Sequence, residues 1–137
     1  ADLLLETVQL IEENKAPREK QDDNLSCYAK MLNNDNCRID WTKSAQDIHN
    51  LVRGLNSWPV AYTTLNNKKF KIWQTRVTTG TGHPGQIIKL TKQSIIVATG
   101  EGAIELLEIQ PPNKAKMPAS SYINGHKQEL ENNVSFI

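Results

Sequence analysis

Three histidines and three late glutamates, Glu101, Glu105 and Glu108, are the residues of this chain that we consider for acid–base chemistry. A hydrolase or transferase centre needs a nucleophile or base that a second group orients. His49 is predicted on the polar face of a helix, His83 in a turn and His126 just past a helix end. Glu105 and Glu108 are three apart in a predicted strand, so they should point to opposite faces. The sequence therefore predicts no catalytic centre in this chain.

The sequence also contains no phosphate-binding loop and no zinc-binding spacing of cysteine and histidine. The glycine-rich run "GTGHPG" opens a predicted strand, whereas a phosphate-binding loop ends in Gly-Lys-Ser/Thr and opens a helix. Cys27 and Cys37 have neither a paired Cys-x-x-Cys motif nor a histidine at zinc spacing. We expect two free thiols, no metal and no cofactor in this chain.

The stretch "LNSWPVAYTTLNNKKFKIWQTRV" is the best candidate for binding. Four basic residues lie between positions 68 and 76 with no acid among them. In a strand, Lys69, Lys71 and Trp73 would share one face, because side chains alternate. Phe70, Ile72 and Gln74 would share the other. Lysines beside an aromatic ring on a barrel surface are typical of a nucleic-acid platform.

The tryptophans and the lysines of this stretch are predicted to have different roles. Trp58 and Trp73 are large apolar side chains, and we expect them to be structural, seating a helix on the barrel. No core needs the lysines, so they are the residues predicted to contact a nucleic acid. Charge supports this division, since residues 1–40 carry a net −4 and residues 41–100 a net +7. A local basic field concentrates polyanions even when the whole chain, at +1, is nearly neutral.

The elements that must position these residues follow from periodicity. Residues 1–15 form an amphipathic helix that needs a partner surface, and we expect the chain to be cut from a longer protein. A polar linker follows to residue 40. The next stretch, "TKSAQDIHNLVRGLN", is a predicted helix with Ser44 as its cap and with Gly54 and Asn56 at its end. From residue 60 the period changes to two, with short turns between five predicted strands. These strands are expected at 60–65, 69–78, 86–91, 94–99 and 103–110, and a last short helix at 118–124, stopped by Gly125.

The predicted fold class is mainly β with flanking helices. Five short antiparallel strands that avoid exposed edges form a small OB-like (oligonucleotide-binding-like) barrel, here preceded by a linker and amphipathic helices. We divide the chain into residues 1–40, a last helix of a preceding domain plus a linker, and residues 41–137, the barrel domain. No apolar run approaches the roughly 18 residues of a membrane span.

Several landmarks resemble one known family. The segments "RIDWTKSAQDIHNLVRGLNSWPVAYTTL", "KKFKIWQTRV", "GHPGQII", "IIVATGEGAIELLEIQPPNKAKM" and "SSYINGH" follow one another as in the carboxyl-terminal part of methionyl-tRNA formyltransferase. The resemblance covers roughly residues 28–126. It implies that a preceding, Rossmann-like catalytic domain transfers a formyl group from 10-formyltetrahydrofolate to the methionine of initiator tRNA. The barrel would help to hold that tRNA.

The family's catalytic asparagine, histidine and aspartate have no matching positions here, so the resemblance implies a chain without catalytic residues. Its partners would be initiator tRNA and the amino-terminal formyltransferase domain, in a cytoplasmic, monomeric protein without membrane contact. The family's tRNA role is carried over to eight basic residues, namely Lys43, Arg53, Lys68, Lys69, Lys71, Arg76, Lys114 and Lys116.

Two other functions fit the same residues. The barrel could be the scaffold of a related folate-dependent formyltransferase or hydrolase that acts on a small molecule, in which case its lysines are only solvated. It could also be a stand-alone OB module that binds single-stranded nucleic acid. Binding of tRNA at low salt separates the first alternative from the leading hypothesis. A preference for unstructured oligonucleotides would indicate the second.

Overall fold

The structure is a computed structural model that describes residues 2–29, 31–33, 35–131 and 135–137. It divides into two compact units, residues 1–31 and residues 32–137. The first unit contains helix α1 (Asp2–Glu12) and a short 3-10 turn at Asp23–Leu25. No residue of α1 is buried. Its apolar side chains are largely exposed, including Leu4 at 70%, Val8 at 43% and Ile11 at 58%.

The second unit is an antiparallel sheet with two helices, and it confirms the predicted fold class. Its strands follow the sheet order β1-β2-β5-β4-β3, with β6 paired to β5. The helices are α2 (Ala45–Leu55) and α3 (Ala119–Glu131). The strands are β1 (Ala61–Leu65), β2 (Lys68–Thr78), β3 (Ile87–Leu90), β4 (Ile95–Ala98), β5 (Ala103–Gln110) and β6 (Met117–Pro118).

Helix α2 begins and ends where the sequence predicts. The Ser44 hydroxyl accepts a hydrogen bond from the Asp47 amide at 3.1 Å and donates one to its carboxylate at 2.8 Å. This reciprocal cap satisfies an amide that has no partner inside the helix. The helix ends at Leu55, with Asn56 as its carboxyl-terminal cap. Its buried stripe, against the sheet, consists of Ala45, Ile48, Val52 and Leu55.

Helix α3 contains a break at the place that the sequence predicts. The helical path from Ala119 ends at Gly125, because the next residue, His126, has non-helical φ −134° and ψ 21°. The predicted stop at Gly125 is therefore confirmed. A second helical segment, which the sequence did not predict, continues to Glu131 and brings Leu130, only 2% exposed, into the core.

The last described segment, residues 135–137, connects the two edge strands of the sheet. The Ile137 amide donates to the Thr64 carbonyl of β1 at 2.9 Å, and the Thr64 amide donates back at 3.0 Å. The Phe136 amide donates to the Gly85 carbonyl at 2.8 Å, next to β3. The segment thus occupies the gap between β1 and β3, and this pairing makes the sheet barrel-like and covers its edges.

Residues 37–41, at the end of the region predicted to be a linker, pack on β1. Cys37, Ile39 and Trp41 alternate along this segment and are 1%, 2% and 5% exposed. The Ile39 amide donates to the Tyr62 carbonyl at 2.8 Å. The Trp41 indole donates to the Thr63 hydroxyl at 2.9 Å. A 3-10 turn at Asp35–Cys37 and the strand-like residues after it thus contribute core side chains, two of them in the region predicted to be a linker.

Gly100 fixes the turn between β4 and β5 against the approach to α2. Its amide donates to the carbonyls of Trp41 and Lys43, each at 2.9 Å. A Cβ at this position would lie 1.8 Å from the Thr42 carbonyl oxygen, a backbone atom that cannot rotate away. Only glycine fits without displacing one of the two segments.

Gly100→Ala is therefore expected to lower the free energy of unfolding by about 1–3 kcal/mol, the usual cost of overpacking. Urea unfolding followed by tryptophan fluorescence measures it. Gly54→Ala is the matched control, because a Cβ there meets nothing within 4 Å and the position is exposed in α2. It should stabilise by about 0.5–1 kcal/mol through helix propensity. Equal effects of the two substitutions would contradict the close approach at Gly100.

Candidate nucleic-acid interface

The outer face of β1, β2 and β5 brings aromatic rings and lysines together. Tyr62 of β1 is in register with Lys71 of β2, which is in register with Gln110 of β5. The Lys69 ammonium lies 3.7 Å from the centre of the Tyr62 ring. Phe70 and Ile72 point inward, at 2% and 1% exposed. The alternation predicted for Lys69 to Trp73 is therefore present, and we call Tyr62, Lys69, Lys71, Trp73 and Gln110 the outer-face platform.

Trp73 is held on this platform by polar contacts. Its indole N–H donates to the Gln110 side-chain oxygen at 3.1 Å, and its backbone carbonyl accepts from the Asn56 side-chain amide at 2.9 Å. The Lys116 ammonium lies 5.3 Å from its ring centre. The ring is half-buried. It does not belong to the buried cluster around α2, contrary to the structural role that we expected.

Trp58 differs still more from expectation, because it is 77% exposed. The prediction that it forms core was wrong. Helix α2 ends at Leu55 and β1 begins at Ala61, so Trp58 lies in the connection and on the buried face of neither element. The buried tryptophan of this unit is Trp41, which stacks on Phe136 with ring centres 5.7 Å apart.

A bulge in β2 changes which side chains face out. The register between β2 and β5 shifts on both sides of Gln74. As a result Thr75 is buried at 6% exposed, whereas Gln74, predicted on the inner face, is exposed. A bulge inserts an extra residue and so reverses the alternation beyond it.

Glu105 and Glu108 of β5 both form ion pairs with exposed cations, so the prediction that they point to opposite faces was wrong.

Two of the eight predicted cations are paired with acids from β5. The Arg76 Nε donates to the Glu105 carboxylate at 2.9 Å, and the Lys116 ammonium donates to Glu108 at 2.9 Å. Residues 68–76 contain no acid, but the neighbouring strand β5 places two carboxylates beside these cations. Among the residues that the structure describes, the other six form no ion pair: Lys43, Arg53, Lys68, Lys69, Lys71 and Lys114.

The structure distributes the eight cations over four places. Lys69 and Lys71 belong to the outer-face platform, and Lys116 lies beside it. Arg53 and Arg76 line a groove between α2 and β2, together with Gln46, His49 and Gln74. Lys68 and Lys114 line a cavity between β2 and α3. Lys43 lies apart, next to Asp40.

The three histidines have structural partners or lie in a turn. His49, predicted on a polar face, is half-buried, and its Nδ1 lies 2.9 Å from the Thr75 hydroxyl. His126 Nδ1 lies 3.1 Å from the Tyr122 carbonyl. His83 is exposed in a turn, and its amide donates to the Gln86 side chain at 3.0 Å. None of them contacts a carboxylate among the described residues, and the Thr75 hydroxyl beside His49 is buried, at 6% exposed.

Two ionisable groups near the basic residues are shifted. Hydrogen bonds from the Thr42 hydroxyl and amide, with a smaller effect of the nearby Lys43 charge, lower the pKa of Asp40. Burial, with a smaller effect of the Glu129 charge, raises the pKa of Tyr122. Asp40 is therefore ionised and the Tyr122 phenol protonated at neutral pH, so the phenol can donate a hydrogen bond.

None of the described helices is long and apolar enough to cross a membrane.

Comparison with known proteins supports the landmarks read from the sequence. The family described as formyl transferase, C-terminal domain, matches residues 31–127. A methionyl-tRNA formyltransferase of Streptococcus mutans is 42% identical over 130 residues, covering 95% of this chain. One from Staphylococcus epidermidis is 43% identical over 136 residues, covering 98%. The chain spans 42% and 44% of the lengths of these relatives.

Solved structures show the same fold at low sequence identity. HypX variants from Aquifex aeolicus match 93% of this chain with a TM-score of 0.65 and 15% identity, over 23% of the HypX chain. HypX in complex with tetrahydrofolic acid matches 91% with a TM-score of 0.61 and 18% identity, over 22% of that chain. At this identity the likeness shows the barrel-like fold alone.

Proposed function

The chain belongs to the family of formyl transferase carboxyl-terminal domains, and on that premise we propose that it is the tRNA-binding part of a methionyl-tRNA formyltransferase. The resemblance to that enzyme is supported by relatives about 42–44% identical across nearly the whole chain. The observation that carries the binding role is the outer-face platform. Its two lysines have no acid partner among the described residues, and the Lys69 ammonium lies over the Tyr62 ring.

The platform suits an RNA backbone. Alternate side chains of a strand are about 6.6 Å apart, so Lys69 and Lys71 can reach neighbouring phosphates of one strand. Contacts to phosphates supply affinity without reading sequence. The Tyr62 ring holds the Lys69 side chain, and the half-buried Trp73 ring presents a surface on which an unpaired base can stack. Arg53 of α2 and Arg76 of β2 line the groove between these two elements and extend the basic surface.

The parent protein is proposed to carry the catalysis. A preceding domain would transfer a formyl group from 10-formyltetrahydrofolate to the methionine of initiator tRNA, while this barrel holds the tRNA. We place the parent protein in the cytoplasm as a monomer.

A salt titration of the complete 137-residue chain with initiator tRNA tests the proposal. Four neutralised phosphates would give a slope of log K against log salt of about −3 to −4, by analogy with duplex DNA. Elongator tRNA and an unstructured oligonucleotide are the comparison ligands. No binding to any tRNA at low salt would refute the proposal and favour a scaffold for small-molecule chemistry. Tighter binding to the unstructured oligonucleotide than to tRNA would favour a single-strand-binding module.

Helix α1 is proposed to pack against the preceding catalytic domain. Leu4→Glu combined with Ile11→Glu should change the unfolding free energy of the 137-residue chain by less than about 0.5 kcal/mol, because both side chains are exposed. In the parent protein the same pair should destabilise by about 2 kcal/mol or more, because two buried apolar side chains are lost. Urea unfolding of both proteins measures the difference. A loss above about 1 kcal/mol in the 137-residue chain would contradict the assignment.

A further inference from the structure

A cavity between the start of β2, residues 111–117 and helix α3 has the shape and chemistry of a small-molecule site. Its volume is about 350 Å³, within the range of ligand pockets in proteins. Phe70 and Met117 supply apolar walls. Lys68 and Lys114 supply two cations, and no carboxylate is among its lining residues in the part of the chain that the structure describes.

One wall of the cavity is a pair of stacked rings. The His126 imidazole lies 4.0 Å from the Tyr122 ring centre, with the two planes 8° apart. The kink at His126 turns this residue out of the helical path, and its Nδ1 lies 3.1 Å from the Tyr122 carbonyl. Tyr122 is fixed from behind by Phe70, whose ring meets it edge to face at 5.4 Å. His126 is exposed, so one face of the imidazole is covered by Tyr122 and the other is open.

Aromatic rings and cations line the same cavity. A flat aromatic group stacks favourably on an exposed ring that is already held by a second ring. Two lysines with no acid among the other lining residues suit a phosphate. The Ser121 hydroxyl, also on the cavity wall, can donate to a phosphate or to a base. A ligand that uses all of these groups carries both an aromatic heterocycle and a phosphate.

We propose that this cavity binds one nucleotide of an RNA, with the phosphate between Lys68 and Lys114 and the base stacked on His126. The assignment rests on the proposed tRNA-binding function and deepens it, since it adds a pocket for a single unpaired nucleotide to the backbone contacts of the outer-face platform. The two sites use different lysines. They can therefore be tested separately.

Adenosine 5′-monophosphate is the probe, titrated into the complete chain with the ring protons of His126 followed by NMR. Saturable shifts of these protons and of Tyr122 are expected. Lys68→Ala combined with Lys114→Ala should weaken binding about tenfold or more, and His126→Ala about tenfold through lost stacking. His126→Phe, which keeps an aromatic ring, should retain most of the affinity. Lys89→Ala combined with Lys92→Ala removes two exposed lysines that do not line this cavity and should have little effect.

Each other outcome overturns the proposal. If inorganic phosphate binds as tightly as the nucleotide, the stacking role is wrong. If adenosine binds as tightly, the role of the lysines is wrong. If His126 does not respond to the nucleotide, the cavity is not a nucleotide site. Binding of initiator tRNA, measured on the same chain and its variants, is a separate readout, so the cavity can fail while the outer-face platform still binds tRNA.

Discussion

Phe136→Ala is expected to cost about 3–5 kcal/mol of unfolding free energy, the usual range for truncating a buried phenylalanine. Phe136 is 3% exposed, stacks on Trp41 and meets Phe70 edge to face at 6.2 Å. Its neighbours cannot collapse into the vacated space without moving the 135–137 segment, whose backbone is bonded on both sides. Differential scanning calorimetry should show the melting temperature fall by more than about 10 °C.

Ile137→Ala is the matched control in the same segment. Its side chain is 65% exposed, whereas its backbone makes the two hydrogen bonds to Thr64. This substitution keeps the backbone pairing and should change the unfolding free energy by less than about 0.5 kcal/mol. A loss for Phe136→Ala no larger than that of Ile137→Ala would show that the segment contributes little and that the two edge strands are stable without it.

The sheet was predictable because its strands alternate and their turns are short. Such local signals determine where each strand lies, and the observed bounds agree within a few residues. The role of residues 135–137 was not predictable. Three residues are too few for a periodic pattern, and their partners, Thr64 and Gly85, are more than fifty positions away. Only the assembled edges of β1 and β3 create a place for them.

The segment that contains Cys37, Ile39 and Trp41 does have a recognisable sequence pattern. Its apolar residues alternate with Arg38 and Asp40, which is the pattern of a half-buried strand. The polar residues before it led to its assignment as linker. Among the tryptophans, Trp41 has this alternation and is buried, whereas Trp58 follows a helix end and lies in a connection. Local pattern was thus a better guide to burial than residue type.

The candidate interface could be located only in part. Alternation correctly placed Lys69, Lys71 and Trp73 on one face, because the first half of β2 is regular. Beyond it the bulge at Gln74 reverses the pattern, and no local motif marks a bulge. The pairing of Arg76 with Glu105 depends on which strand lies next to β2. A sequence reading of charge along one strand cannot include acids that a neighbouring strand supplies.

Lys69→Ala combined with Lys71→Ala is the substitution with the largest expected effect on binding. If each lysine neutralises one phosphate, the slope of log K against log salt should become less steep by about 2, since each contact contributes about 1. Affinity for initiator tRNA at about 0.1 M salt should fall roughly tenfold to a hundredfold. Fluorescence anisotropy with labelled tRNA at several salt concentrations measures both quantities.

The control for this pair must remove the same charge elsewhere. Lys89→Ala combined with Lys92→Ala lowers the net charge equally, and both side chains are exposed on or beside β3. If the lysines contact phosphates directly, only the Lys69 and Lys71 pair should change the salt slope. The reason is that the slope is proportional to the number of phosphates that the protein neutralises. Equal effects of both pairs would mean that a diffuse field, not the platform, attracts the tRNA. An unchanged affinity and slope for the Lys69 and Lys71 pair would place the tRNA on another surface, with the groove of Arg53 and Arg76 as the next to test.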